Sequence, residues 1–170
     1  VEKFLISRRF MYWQVYYHKT VVSAEHMLIK ILQRAKELSQ NNIELFGTSS
    51  LKLLLKNNFN INNFESNSKV LEAFTNLDDF DIMCAIKEWQ NHEDKILAYL
   101  SNKLIKRELF KILILDKPMN EKSILKIKQN IIKNYNINSF DVHYFFLEGK
   151  ITNSAYKLND TDINILFKNN

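Results

Sequence analysis

Residues 2–38 read EKFLISRRFMYWQVYYHKTVVSAEHMLIKILQRAKEL and contain neither glycine nor proline. With both helix breakers missing and apolar residues recurring at helical spacing through Met27, Leu28, Ile31 and Leu32, the stretch predicts one long helix. Residues 48–105 repeat the theme in shorter pieces. Thr48, Ser49 and Ser50 offer N-caps for a helix carrying Leu51 and Leu55, and the asparagine-rich residues 57–63 read as a loop. Ser66 or Ser68 can start a further helix with Val70, Leu71 and Phe74 on its apolar side. Asp78 caps another through Phe80, Ile82, Met83, Ile86 and Trp89, and a last one runs from Asp94 to Ile105. Residues 1–105 therefore read as wholly α-helical.

After Arg107 the period shortens. Residues 109–115 (LFKILIL) form a β-rich apolar run stopped by Asp116, Lys117 and Pro118, and Asn120 then opens a helix with Ile124, Leu125, Ile127, Ile131 and Ile132 on one side. Residues 141–147 (DVHYFFL) and 162–167 (DINILF) predict two more strands. The expected architecture is mainly α: a helical body over residues 1–107, then a small α+β unit of β-α-β-β order over residues 108–170. The helix near 120–134 is expected to cover one face of its sheet.

The composition narrows the classes. The 170 residues hold a single cysteine, Cys84, which rules out a disulfide framework and every CxxC motif; a lone thiol fits a reducing compartment, so a cytoplasmic location is expected. No apolar run exceeds five residues, far short of the roughly 18 to 20 of a membrane-spanning helix. The first residues carry charge where a secretory signal needs an apolar core. Because the sequence opens at Val1 without methionine, a piece of a longer protein is expected. The formal charge of +5 invites a nucleic-acid partner, but its lysines and arginines are spread along the chain and offset by acids, so that partner is not the favoured one.

Winding residues 2–38 on a wheel of about 100° per residue and setting Arg8 at zero places Lys19 at about 20°, Tyr12 at about 40° and Tyr16 at about 80°. Ser23, His26 and Lys30 share the same arc, while Phe10, Met11, Val22, Leu28, Ile29 and Leu32 gather on the other side. One stripe is oily. The other combines a guanidinium, two phenols and an ammonium, groups that bind phosphate oxygens and pack against a sugar or base. A solvated helix face seldom carries Tyr12, Trp13, Tyr16 and Tyr17 within six residues, because large aromatics sit in cores or binding sites.

The run from Arg8 to Thr20, RRFMYWQVYYHKT, resembles the long helix downstream of the metal site in HD-domain phosphohydrolases of the deoxynucleoside triphosphate triphosphohydrolase-like group. Residues 74–111 (FTNLDDFDIMCAIKEWQNHEDKILAYLSNKLIKRELFK) are also similar to that group, down to an Arg-x-Leu-Phe-Lys exit from the last helix. The resemblance spans residues 1–112 well and the remainder loosely. It implies that Arg8 contacts substrate phosphate, that Tyr16 lies beside sugar and base, and that Tyr12 stands where some members place a histidine near the phosphates. It implies further that His18 and Lys19 match positions of an effector site between subunits, so that a nucleotide or other phosphate ester is the expected small partner and a homo-oligomer the expected assembly. Members hold a divalent metal with histidine, a His-Asp pair and a later aspartate. No His-Asp dipeptide occurs here, and His18, His26, His92 and His143 form no HxxxH or HExxH set. The metal ligands are accordingly expected upstream, with no metal-binding and no catalytic residue in this chain.

Other chemistry is scarce. With only Gly47 and Gly149, neither a GxxxxGK[ST] nor a GxGxxG phosphate loop exists, and there is no GxSxG nucleophile elbow. Asp78, Asp79 and Asp81 read as helix-start acids, His92 as a helix-start residue and Trp89 as core. The resemblance thus implies the substrate-side part of a metal-dependent nucleotide phosphohydrolase. The alternative is a non-catalytic nucleotide-binding, regulatory or oligomerisation module, which the same stripe would serve, with nucleic-acid binding third.

Overall fold

A computed structural model describes residues 2–115 and 117–149 of the chain. It divides into two compact units, Lys19–Leu147 on the one hand and Val1–His18 with Glu148–Asn170 on the other.

In the smaller unit the long helix of the sequence is interrupted. Helix α1 spans Glu2–Met11, a π-helical turn follows over Tyr12–Tyr16, and only after Tyr17 and His18 does the chain re-enter helix as α2, Lys19–Gln40. Tyr17 has φ −98° and ψ 12°, outside the α region. Its N–H donates to the Tyr12 carbonyl at 2.9 Å, five residues back, and that of His18 to the Val15 carbonyl at 3.3 Å. Aromatic side chains lose rotamer freedom against the preceding helical turn, so a run containing Tyr12, Trp13, Tyr16 and Tyr17 is where a helix gives way. No glycine or proline was needed to break it.

The larger unit is built on α2, whose buried stripe is Ser23, Met27, Ile31, Ala35 and Leu38. Of the apolar residues expected on this helix, Met27 and Ile31 belong to the stripe, Leu28 and Leu32 are half-buried at the edge of the core, and Ile29 is exposed. Around α2 lie α3 (Ser49–Lys56), α4 (Ile61–Ser66), α5 (Ser68–Thr75), α6 (Asp79–Trp89), α7 (Lys95–Ile105) and α8 (Glu121–Tyr135). The principal packings are of α2 on α7 and α3, of α6 on α7 and of α3 on α5. At one end Arg34 of α2 meets Asp94 at the start of α7; at the other Ser23 meets Phe110, just beyond its end, so the two helices run antiparallel. Trp89 fills the middle, its indole N–H donating to the Phe46 carbonyl at 2.9 Å.

Caps set the helix starts much as expected. Thr48 caps α3, Asp94 caps α7, Asn120 caps α8, and Asp78 with Asp81 forms a reciprocal capping box on α6. The asparagine-rich stretch is shorter as a loop than expected, because Asn60 and Asn63 make a second capping box that starts α4 within it.

Among the described residues there is no β-strand, which overturns the expected β-α-β-β unit and leaves the mainly α part of the assignment standing. Residues 109–115 are irregular: Phe110 packs on the core, its carbonyl accepts from Ser23 Oγ at 2.8 Å, and Leu113, Ile114 and Leu115 are exposed. Residues 141–147 begin inside a 3₁₀ turn, Ser139–Tyr144, that buries Val142 and Tyr144. The third expected strand, 162–167, lies outside the described residues. A short apolar run is compatible with strand or with tight helix, and β preference expresses itself only where a neighbouring strand accepts the hydrogen bonds.

Candidate functional site

In the smaller unit α1 and the π-turn bring Arg8, Tyr12 and Tyr16 together. With Phe4, Ser7 and Met11 they line an open cleft of about 350 Å³. Arg8 and Tyr12 are four residues apart, one helical turn, which sets the guanidinium carbon 5.8 Å from the centre of the Tyr12 ring. Tyr12 in turn lies 5.1 Å from Tyr16, the rings tilted by 45°. The π-turn adds a third ring: Tyr17 lies 5.9 Å from Tyr12. A guanidinium placed against an aromatic face keeps its in-plane N–H donors for oxygen atoms, and the two phenols add hydroxyls that both donate and accept. The cleft therefore pairs a phosphate-type cation with ring faces suited to a sugar or base. Nothing in the composition of α1 asked for burial here: Phe10 and Trp13, on the far side of the helix, are exposed too.

The remaining members of the expected stripe separate from these three. His18 is exposed in the break after the π-turn and does not line the cleft, and Lys19 opens α2 in the larger unit. Ser23 is buried and engaged with the Phe110 carbonyl, a packing role in place of a binding one. Lys30 is half-buried, bonds the Gln33 side chain at 2.9 Å and faces the Tyr144 ring at 6.0 Å; burial pushes its ammonium below the usual lysine range.

One constellation had no counterpart in the sequence reading. Arg34 donates through Nε and Nη2 to both oxygens of Asp94, at 3.1 and 2.6 Å, and through Nη1 to Glu37 at 3.2 Å, with Asp141 at 3.6 Å. Its guanidinium also lies 5.4 Å from the ring of Tyr144, which is fully buried. Burial, and then the nearness of Glu37, pushes that phenol well above the ordinary tyrosine value, although its hydroxyl reaches no partner at hydrogen-bonding geometry. For Asp94 desolvation works upward, but the Arg34 hydrogen bond, the Leu97 N–H and the guanidinium charge overcome it and hold the carboxyl below its usual range. The group ties α2, the start of α7 and the 3₁₀ turn together, and it is an architectural clamp. The available signal was the N-cap aspartate itself, but its partner sits 60 residues away and no local pattern names it.

The described residues do not fit a divalent metal. Among the described residues no three His, Cys, Asp or Glu side chains come together in a metal-holding group. His92 Nδ1 accepts the Asp94 N–H at 3.0 Å as part of the helix start, and His143 Nδ1 lies 2.6 Å from the Phe140 carbonyl within its own turn. Asp78 and Asp81 are engaged in capping. Nor is any helix among these residues long and apolar enough to cross a membrane.

No family model matches the chain. Over 110 residues, 65% of its length, it is 37% identical to the uncharacterized protein YwfO of Bacillus subtilis strain 168, of which it covers 23%. Its fold is similar to the crystal structure of a phosphohydrolase from Bacteroides thetaiotaomicron, with a TM-score of 0.80 over 84% of this chain and 36% of that one. The chain thus spans less than two fifths of the length of either relative. Across the shared structure the identity with that phosphohydrolase is 43%, so the likeness holds in sequence as well as in shape.

Proposed function

We propose that this chain supplies the substrate-holding surface of a metal-dependent phosphohydrolase of the HD type, acting on nucleotides. The observation that carries the reading is the cleft on α1, where one arginine and two tyrosines converge in about 350 Å³. The likeness to a phosphohydrolase supports the general class. In this reading Arg8 holds phosphate oxygens through its planar donors, Tyr12 presents a hydroxyl beside them, and Tyr16 packs against the sugar and base. A divalent metal, which in such enzymes activates water and neutralises developing charge on phosphate, is part of this reading, with its ligands outside the residues described. His18 and Lys19 remain candidates for a second, effector phosphate in an oligomer, separate from the cleft. What Arg8, Tyr12 and Tyr16 do by themselves is bind and orient; the chain's own side chains move no proton in the scheme.

Calorimetric titration of the chain with dATP, with inorganic triphosphate and with deoxyadenosine tests this. Arg8→Ala is expected to weaken dATP and triphosphate at least tenfold while leaving deoxyadenosine unchanged, as the loss of a charge-assisted bidentate contact requires. Equal affinity of wild type and Arg8→Ala for dATP overturns the proposal.

A further inference from the structure

We propose that Tyr17 is a positioning residue of the Arg8 cleft, acting through the ring of Tyr12; this rests on the cleft being a phosphate-ester site. Tyr17 does not line the cleft and so has no direct claim on a ligand there. In a regular α-helix residues five apart lie about 140° apart around the axis, which would turn Tyr17 away from Tyr12. The π-turn removes that offset. By bonding the Tyr17 N–H to the Tyr12 carbonyl at 2.9 Å it stacks the two residues along one side, and their rings meet at 5.9 Å. A π-turn is rare within a helix, and such turns recur at functional sites.

The order of contacts decides what this does to the cleft. Tyr12 is the only one of these side chains in ring contact with both other tyrosines, and it also carries the Arg8 guanidinium at 5.8 Å. Its phenol ring is free to turn about two torsions unless packed. With Tyr16 and Tyr17 both against it, the ring has fewer places to go, and the guanidinium 5.8 Å from its centre is steadied with it on the wall of the cleft. Tyr16 alone cannot do this, because it faces the ligand space and is half-exposed.

The test is a double-mutant cycle on the chain, with dATP as the probe and calorimetry as the readout, across wild type, Tyr17→Leu, Tyr12→Leu and the double variant. Tyr17→Leu is expected to weaken binding about fivefold, the worth of one aromatic pair. Tyr17→Phe, which keeps the ring, is expected to restore most of that. In the Tyr12→Leu background Tyr17→Leu is expected to cost nothing further, since the ring it acts through is gone. A loss of the same size in both backgrounds, or none in either, overturns the inference. Loss of helix stability as the cause would reduce binding in both backgrounds and lower the far-ultraviolet dichroism. Arg8→Ala separates the two levels: if it leaves dATP binding intact, or if wild type does not bind, the reading of the cleft itself fails and takes this one with it.

Discussion

Asp94 has two functions at one helix start: it accepts the Leu97 N–H at 2.8 Å as an N-cap and both donors of Arg34 as an ion partner. Substitution separates them. Asp94→Asn keeps a good capping side chain and loses the charge, whereas Asp94→Ala loses both and leaves Arg34 facing fewer acceptors. We expect Asp94→Ala to lower unfolding stability by about 3 kcal/mol and Asp94→Asn by roughly half of that, read by urea denaturation. The pH dependence has a definite sign. The folded carboxyl titrates below its unfolded counterpart, so its contribution is complete above the unfolded value, about 3.9, and is lost as pH falls through the depressed folded one. The stability difference between wild type and Asp94→Asn is therefore expected to be constant from pH 5 to 7 and to shrink below about 4. A difference that persists into strong acid would show that the charge is not what Asp94 contributes.

At the scale of elements, helix α7 closes with a left-handed residue that is not glycine. Arg107 has φ 59°, its N–H donates to the Leu104 carbonyl at 3.0 Å, and the Glu108 N–H reaches back to the Lys103 carbonyl at 2.9 Å, the paired bonds of a Schellman ending. An L side chain in that conformation costs on the order of 1 kcal/mol that glycine does not incur. Arg107→Gly is accordingly expected to raise the urea midpoint by an amount worth about 1 kcal/mol; a fall would mean that the exposed Arg107 side chain stabilises the fold by more than its backbone strains it. The same ending shows how far the sequence could be read. Asp78, Asp94, Asn120 and Thr48 announce helix starts because a cap is local chemistry, four residues long. The exit at Arg107 was also legible, as the point where helical spacing stops. The conformation beyond it was not, because Leu109 to Leu115 is β-prone only in company: Phe110 finds Ser23 and the core, and no described strand lies alongside. Likewise Val142 and Tyr144 are two apart, a strand's spacing, yet a 3₁₀ turn puts both inside. Arg8, Tyr12 and Tyr16 were grouped by spacing since residues four apart share a helix face; Lys19 and Ser23 were added to that face by extending it through Tyr17, where the helix stops.

For the molecule as a whole the question is whether a surface that holds phosphate suffices for turnover. Hydrolysis at a phosphate centre needs an activated water and compensation for developing charge, and in a metal-dependent enzyme both come from the metal. The described residues provide a cation and phenols on α1 and the π-turn and no metal-holding cluster; His92 and His143 serve a helix start and a turn, and His26 and His18 lie on α2 and after the π-turn. We therefore expect the 170-residue chain to bind dATP at one site and to release no phosphate, pyrophosphate or triphosphate from it with magnesium or manganese present. The salt dependence tells a discrete cleft from the nucleic-acid reading that a charge of +5 invites. A single arginine on one polyphosphate releases few counterions, so affinity is expected to fall only a few-fold between about 50 and 200 mM salt; a surface tracking a duplex through six or more phosphates would lose about a thousandfold or more. Steep salt dependence with a preference for duplex over dATP would move the function from the Arg8 cleft to the spread of lysines along the chain. Sustained turnover by the purified chain would overturn that expectation.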